Sequence, residues 1–386
     1  MLSRHSDALA GVFSHSDVPS LRDALAPITD PRARRGVRYA FVDVLLVFVA
    51  AVLSGAKSLI AIEEWAQDAH QRSLLPAWKR VPSPPTFHRV AALVDSEAFD
   101  TAISGWTQKL VSARSNSASH NSAQRFGALH AVAIDGKEVR GAKHASGART
   151  FLMAAFDHAS GVVIEQESVG EKTNEIPHLP RLLDKLGDLT DTVITVDALH
   201  TLPQQAEAIM QRGGHYLFTV KGNAKKLRER ISEAPWGQQT IQYQRVEKAH
   251  GRTSTWEAIA LPATTRINFP GAKQIMQLRR GRNTNGHATG ETVYVITSLP
   301  PQLANTQQLA QLLRGHWGIE NRLHWVRDTA WGEDTSQVRT GTAAHMMASV
   351  RNLGLSIHRI IGHTNITKAL RTYAKRPELA IQITRL

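Results

Sequence analysis

The sequence predicts a mixed α/β protein, and three observations indicate this class. Residues 20–125 have the periodicity of helices, whereas short apolar strands alternate with helices further along the chain. Two of those strands are continuous apolar runs that end in an aspartate, as expected of central strands covered on both faces. Residues 222–300 alternate apolar and polar side chains, which is typical of antiparallel strands.

Residues 1–124 are predicted to form an all-helical N-terminal domain. The apolar segment AFVDVLLVFVAAVL, residues 40–53, is shorter than the roughly 18–20 apolar residues of a membrane span, so a buried helix is expected. For the helix that begins at SPPT, core packing is favoured over a DNA-recognition role for His88 and Arg89. The polar, aperiodic segment 112–124 predicts the boundary of this domain.

Residues 125–340 are predicted to form a second domain. The strand LHAVAID is followed by a hairpin of FLMAAFD and VVIEQESV, a helix, the strand DTVITVD, a second helix and the strand YLFTV. This βββαβαβ order is that of a ribonuclease-H-like core. We therefore expect such a core, preceded by the helical domain.

The rest of the chain is predicted to complete that core. A β-rich insertion is expected at about residues 222–300, and a long helix follows from Thr306 to Asp328. Residues 341–386 are predicted to form C-terminal helices that pack on the core.

Composition limits the function classes. The 386 residues contain 46 Lys+Arg against 33 Asp+Glu, a formal net charge of +13, and no cysteine. The absence of cysteine excludes a disulfide scaffold, a thiolate zinc site, an iron–sulfur cluster and a cysteine nucleophile. The positive charge favours a polyanionic partner, most commonly nucleic acid, although solubility alone is the alternative. With no targeting segment recognised and no membrane span, a cytoplasmic location is expected.

Two carboxylates are the first candidate site residues. Asp135 and Asp197 each end an apolar strand, and neighbouring parallel strands would bring them close together at one edge of the sheet. Two such anions repel each other unless a cation lies between them, and oxygen ligands suit Mg²⁺ or Mn²⁺. Aspartates also end strands as turn residues, which is the alternative interpretation of either one alone.

A third carboxylate is expected from the late helix. Glu320 is the best candidate, because His316, His324 and Arg327 share its helical face and could contact DNA phosphates. The alternative is a solvated glutamate on a helix that only packs against the core. Three acidic residues further along the chain compete for the same role: Asp328, Glu333 and Asp334.

Two further residues are candidates for DNA contact. Lys221 and Asn223 follow the strand YLFTV and would lie at the same edge of the sheet as the two aspartates. An ordinary turn is the alternative interpretation of this KGN segment. The histidines around Glu320 lack the H-E-x-x-H spacing, which argues against a zinc hydrolase.

Specific segments also carry a family resemblance. PSPPTFHRVAALVD, AIDGKEVRGA, EKTNEIPHL, VDALHT, YLFTVKGNAKKL and HWGIENRLHWVRDTAWGED occur in this order. Together they resemble the ISAs-type, or H-repeat-associated, insertion-sequence transposases over nearly the whole chain. The resemblance implies a DDE transposase, in which Asp135 of AIDG, Asp197 of VDA and Glu320 of IEN match the catalytic triad.

The broader group of hairpin-forming DDE transposases has a Y-x2-R-x3-E-x6-K signature around its glutamate. This chain has Leu313 in place of the tyrosine, His316 in place of the arginine and Arg327 in place of the lysine. The sequence therefore leaves open whether a phosphate-clamping arginine and a hairpin intermediate carry over.

The resemblance implies an activity and its partners. The expected activity is metal-dependent cleavage at the element ends and strand transfer into target DNA, with two Mg²⁺ or Mn²⁺ ions. The expected partners are double-stranded DNA at terminal inverted repeats and target sites, and further copies of the chain in a homo-oligomeric complex at the nucleoid. Residues 1–124 are expected to be the transposase-associated domain and to supply much of the recognition of the element ends. A catalytically silent DNA-binding protein, or a nuclease without strand transfer, is the alternative.

Overall fold

The structure is a computed structural model that describes most of the chain. The described residues are 18–35, 37–76, 78–117, 129–143, 149–169, 175–249, 251–284 and 287–385. Residues 112–117 of the predicted linker instead continue the helix Ser96–Ser117, and the rest of that linker lies outside the described residues.

In the described part of the chain, one nine-stranded sheet forms the centre, in the order β3-β2-β1-β4-β5-β9-β8-β7-β6. The sheet and the helices around it confirm the predicted mixed α/β class. The strands are β1 His130–Lys143, β2 Arg149–Asp157, β3 Val163–Val169, β4 Thr192–Val196, β5 His215–Val220, β6 Tyr243–Ala249, β7 Arg252–Pro262, β8 Gln274–Thr284 and β9 His287–Thr297.

The first five strands have mixed directions. β1, β4 and β5 run parallel to one another, whereas β2 is antiparallel to β1 and β3 is antiparallel to β2. The parallel pairing of β1 with β4 ends at Ile134 and Val196, but β1 continues as a hairpin with β2. Asp135 therefore lies inside β1, not at its end as the sequence predicts, although it does lie where the parallel sheet ends.

The insertion continues the same sheet. β9 pairs antiparallel with β5, and β8, β7 and β6 follow it as a meander. The first part of the insertion is helical, since Lys225–Ser232 forms a helix after β5. The prediction of antiparallel strands is thus confirmed, and these strands widen the sheet instead of forming a separate lobe.

The helices surround this sheet. They are α1 Leu21–Leu25, α2 Phe41–Leu53, α3 Leu59–Gln71, α4 Pro84–Leu93, α5 Ser96–Ser117, α6 His178–Leu186, α7 Pro203–Gln211, α8 Lys225–Ser232, α9 Thr306–His316, α10 Trp325–Trp331, α11 Ala343–Ile360, α12 Ile366–Lys375 and α13 Pro377–Thr384. Among the described residues, no helix is long and apolar enough to cross a bilayer.

Helix α2 is the centre of the N-terminal helices. Nearly all of its side chains are buried, and the one carboxylate among them, Asp43, accepts a hydrogen bond from Arg22 at 2.6 Å. Its last carbonyls accept hydrogen bonds from the Trp331 indole and the His358 imidazole, which belong to α10 and α11. The N-terminal helices and the C-terminal part of the chain therefore share one hydrophobic core. Deleting residues 1–124 would expose that core.

The contact between α5 and the edge strand β3 contains a buried acid. Burial raises the pKa of Glu165 to about 7, although the backbone N–H of Gln166 and the Ser104 side chain oppose this rise. In the unfolded chain the same group ionises at its ordinary pKa of about 4.5. The folded state therefore binds more protons between these values, and stability falls as pH rises through this window.

Replacing Glu165 with glutamine is expected to prevent this loss of stability at high pH. The variant should be more stable than wild type at pH 8, by about 1–2 kcal/mol, and should gain nothing at pH 4. Urea unfolding at the two pH values measures the difference. The control is Glu167→Gln, which removes the ion pair to Lys185 and should give no such gain at pH 8.

The predicted long helix is helical over nearly all of its length, but it is not uniform. Helix α9 ends at His316, a turn follows at Trp317, and Glu320–His324 forms a π-helical segment before α10 begins. Segments of this kind occur mostly as single turns inside α-helices and frequently at functional sites.

Candidate active site

The two strand aspartates lie on adjacent strands at the point where parallel pairing stops. Asp135 follows Ile134 on β1 and Asp197 follows Val196 on β4, and these two apolar residues are the last register pair. Neighbouring strands are about 4.8 Å apart, so the residues that directly follow this pair, one on each strand, also lie close together. Asp135 accepts the N–H of Gly136 at 2.9 Å. Asp197 accepts the N–H of Leu199 at 3.0 Å, which caps a short 3₁₀ turn.

Glu320 approaches these aspartates from the π-helical segment. Its Oε2 lies 3.1 Å from Nδ1 of His324, and the same nitrogen lies 3.6 Å from Oδ2 of Asp135. One candidate ligand atom each from Asp135, Glu320 and His324 therefore lies within 4.8 Å of the other two. The Glu320 side chain is 66% exposed, so the group faces solvent on one side.

Asp135 is partly buried and has other carboxylates around it. Burial raises the pKa of Asp135 to about 7, and the charges of Asp197, Glu175 and Glu320 add to this rise. The hydrogen bond from His324 instead lowers the pKa of Glu320. A divalent cation would relieve the repulsion around Asp135, and carboxylate oxygens are suitable ligands for Mg²⁺ or Mn²⁺. The residues present thus fit a hard divalent cation.

Glu175 and His200 also lie beside the site, although neither was predicted from the sequence. A Cβ on Gly136 would come within 2.7 Å of the Glu175 carboxyl group, so the glycine allows that side chain to approach Asp135. Nε2 of His200, which is only 1% exposed, lies 3.5 Å from Glu175. The segments EKTNEIPHL and VDALHT, which carry the family resemblance, contain these two residues and were the available signal.

The three acidic residues that compete with Glu320 are engaged elsewhere. Nζ of Lys137 lies 2.8 Å from Asp328 and 3.4 Å from Asp334. Glu333 is fully buried and accepts two hydrogen bonds from Arg327, at 2.6 and 2.9 Å, and one from Arg351, at 3.3 Å. The geometry therefore favours Glu320 as the third carboxylate.

His316 is buried beneath the site, with 7% of its surface exposed. Its Nδ1 lies 3.1 Å from the hydroxyl of Thr195 on β4, and Nε2 of His158 lies 3.1 Å from the same oxygen. Burial lowers the pKa of His316 to about 4, which keeps the ring neutral. This imidazole attaches α9 to the sheet, and its placement does not support the predicted phosphate contact.

Arg327 and His324 are likewise unavailable to DNA in this arrangement. Arg327 is 1% exposed and its guanidinium is paired with Glu333, while His324 is 4% exposed and faces the carboxylates. The placement of both side chains favours roles inside the protein over the predicted phosphate contacts.

The two residues after β5 are placed differently from each other. The side-chain amide of Asn223 donates to the carbonyl of Ala198, in the turn that follows Asp197, so it connects two loops at the carboxylate edge. Lys221 is exposed just before it. Of the predicted DNA contacts, Lys221 and Asn223 are therefore the ones that the structure leaves at the surface.

Two family models together match most of the chain. The sequence model of the transposase DDE domain family matches residues 128–356. A second model, for the domain associated with that DDE domain, matches residues 22–107. The first match covers more than half of the chain and includes all three candidate carboxylates.

Named relatives agree with the family match. YncI of Escherichia coli O157:H7, named as a transposase, is 28% identical over 89% of this chain and 88% of its own. YhhI of E. coli K12, named as an H repeat-associated transposase, is 28% identical over 88% of this chain and 90% of its own. These relatives and the family match confirm the resemblance drawn from the sequence.

A further relative and one solved structure are also similar to this chain. An uncharacterised protein of Xanthobacter autotrophicus, from the dhlA 3′ region, is 30% identical over 73% of this chain and 95% of its own. A piggyBac transposase synaptic complex with hairpin DNA covers 99% of this chain and 81% of its own. At a TM-score of 0.39 and 11% identity, that likeness carries no argument about mechanism.

Proposed function

We propose that Asp135, Asp197 and Glu320 are the catalytic carboxylates of this chain, which belongs to the transposase DDE domain family. The chain is a transposase of an insertion sequence, an enzyme that cleaves DNA and transfers strands. The convergence of Asp135 and Glu320 on one nitrogen of His324 carries the assignment of these two carboxylates. Asp197 is assigned by its position beside Asp135, where the parallel pairing of β1 and β4 ends. In the same proposal, β1 to β5 form a ribonuclease-H-like catalytic core and α1 to α5 form its associated helical domain.

The three carboxylates would hold two divalent cations, Mg²⁺ or Mn²⁺. Such ions supply an activated attacking oxygen and neutralise the charge that develops on the leaving oxygen. The protein supplies rigid placement, since the Gly136 and Leu199 amides hold the aspartates and His324 holds Glu320. Preorganised groups of this kind avoid reorganisation at the moment of reaction.

Double-stranded DNA is the proposed partner, at the element ends and at the target site, with a homo-oligomer forming on it. The net charge of +13 supports attraction to the phosphate backbone and association with the nucleoid. Lys221 is the proposed phosphate contact nearest to the chemistry, because it is exposed at the carboxylate edge. Asn223 instead stabilises the turn after Asp197, through its hydrogen bond to the Ala198 carbonyl.

Lys221→Ala is expected to weaken DNA binding and to flatten its salt dependence. Each phosphate contact contributes about −0.9 to the slope of log affinity against log salt concentration, so the slope should become less steep by about one. Binding measured from about 50 to 200 mM salt provides the slope. Lys375→Ala, which removes an exposed lysine at the end of α12, is the control. Equal slopes for both variants and wild type would contradict the assignment.

A strand-transfer assay tests the proposed function. Full-length protein is incubated with labelled element-end DNA and a target plasmid, with Mg²⁺ or with chelator. We expect metal-dependent cleavage followed by joining of the freed 3′ end. Cleavage without joining would indicate a nuclease, and binding without cleavage would indicate a catalytically silent descendant.

A further inference from the structure

We propose that His324 is itself a metal ligand, binding through Nδ1 the same divalent cation as Asp135 and Glu320. The set of ligands would then combine carboxylate oxygens with one imidazole nitrogen. This inference rests on the proposed function, and it adds a nitrogen ligand that the three carboxylates alone do not provide. It also predicts a preference for one metal.

The distances are those of neighbouring ligands. In an octahedral site with bonds of about 2.1 Å, adjacent ligand atoms lie about 3 Å apart. Nδ1 of His324 lies 3.1 Å from Oε2 of Glu320 and 3.6 Å from Oδ2 of Asp135. A cation placed among these three atoms would therefore need only small side-chain movements.

The orientation of the ring also indicates this role. His324 is 4% exposed, so it is packed in one position, and its Nδ1 faces both carboxylates. Nε2 is buried and has no hydrogen-bond partner within the described part of the chain, so it is free to carry the ring proton when Nδ1 binds a metal ion instead of donating to Glu320. The polar contacts that orient the ring are therefore those on the carboxylate side.

The neighbouring histidines are placed differently. Nδ1 of His316 is within hydrogen-bonding distance of Thr195, and His200 faces Glu175. Neither contributes an atom to the group formed by Asp135, Glu320 and His324. The π-helical segment Glu320–His324 brings its first and last residues to the same aspartate, which singles out His324 among the three imidazoles.

An imidazole ligand changes the choice of metal. Mg²⁺ prefers oxygen ligands, whereas the softer transition-metal ions accept a nitrogen ligand more readily, and Mn²⁺ is such an ion that also suits carboxylates. We therefore expect the full-length protein to bind Mn²⁺ more tightly than Mg²⁺, and we expect His324 to be responsible for part of that difference.

Electron spin-echo envelope modulation of bound Mn²⁺ tests the proposal directly. In full-length wild-type protein, we expect ¹⁴N modulation from a directly coordinated imidazole, and this should change to ¹⁵N modulation when the histidines are ¹⁵N-labelled. His324→Asn keeps an N–H donor for Glu320 but removes the ring, so the modulation should disappear. Mn²⁺ affinity should also fall by at least about tenfold, the loss that even an outer-shell partner causes.

Two further variants are needed to interpret the result of this experiment. His316→Asn is the matched control and should keep the ¹⁴N modulation, because its ring contacts Thr195 and contributes no atom to the group of Asp135, Glu320 and His324. His324→Gln provides a second substitution if the asparagine variant does not fold. Loss of the modulation in either His324 variant, with retention in the control, supports the proposal.

The results that would overturn the His324 proposal can be told apart from the results that would overturn the proposed function. If Mn²⁺ binding requires Asp135 but shows no ¹⁴N modulation, His324 only donates a hydrogen bond to Glu320 and the carboxylate assignment stands. Modulation that persists in both His324 variants would likewise reject this residue as the ligand. If Asp135→Asn and Glu320→Gln both leave Mn²⁺ binding unchanged, the proposed site and this inference fail together.

Discussion

Replacing Asp135, Asp197 or Glu320 singly with alanine is expected to reduce cleavage and strand transfer by about a thousandfold or more. That factor corresponds to about 4 kcal/mol of transition-state stabilisation. Carboxylates hold the metal ions, whereas basic groups contact the phosphates, so DNA affinity should stay within a few-fold of wild type. Removing a negative charge from a site that receives DNA could only relieve repulsion.

Gel-shift affinities and cleavage rates on the same labelled element end measure both effects. The control is Asp328→Ala, since Asp328 is paired with Lys137 and does not belong to the group of Asp135, Glu320 and His324. Replacing Asp328 should reduce the cleavage rate far less than replacing Glu320. Wild-type cleavage in all three alanine variants would reject the site as a whole.

Glu333→Ala should have the largest effect on stability. Burial alone would raise the pKa of Glu333, but the charges of Arg327 and Arg351 outweigh burial and lower it, so the group is ionised. Removing it leaves two buried guanidinium groups without their counter-charge. Breaking a buried ion pair from one side typically costs about 3–5 kcal/mol.

Urea unfolding of Glu333→Ala beside Glu320→Ala measures this contrast. The exposed Glu320 contributes little to the core, so its variant should unfold near the wild-type midpoint. Cleavage measured at equal folded protein should show the reverse order, with Glu333→Ala active and Glu320→Ala inactive. If Glu333→Ala unfolds at the wild-type midpoint and is inactive, the two glutamates have been assigned to the wrong roles.

Much of the fold was predictable because the strands have simple patterns. The apolar runs before Asp135 and Asp197 are central strands, and their order along the chain places both aspartates at one edge of the sheet. The continuation of β1 past Asp135 was not predicted, because most residues after the aspartate are glycine or charged and they pair only with β2. The pairing of β9 with β5 was also not predicted, since periodicity does not specify which strands are neighbours.

The surroundings of Glu320 were harder to predict for a geometric reason. Arg327 was placed on the face of Glu320 by assuming a regular α-helix, in which residues seven apart align. The π-helical segment Glu320–His324 adds about one residue to a turn, which rotates every later side chain by about 100°. Arg327 consequently faces the core and pairs with Glu333. Glu175 was missed because its position depends on tertiary packing over Gly136.

The central claim is that Asp135 contacts a metal ion during the reaction, and a sulfur substitution tests it most directly. The chain has no cysteine, so Asp135→Cys introduces the only thiol. Because Mg²⁺ binds sulfur poorly and Mn²⁺ accepts it better, cleavage of labelled element ends should be abolished in Mg²⁺ and partly restored in Mn²⁺. Wild-type cleavage by this variant in Mg²⁺, or equal cleavage rates in the two metals, would contradict the account.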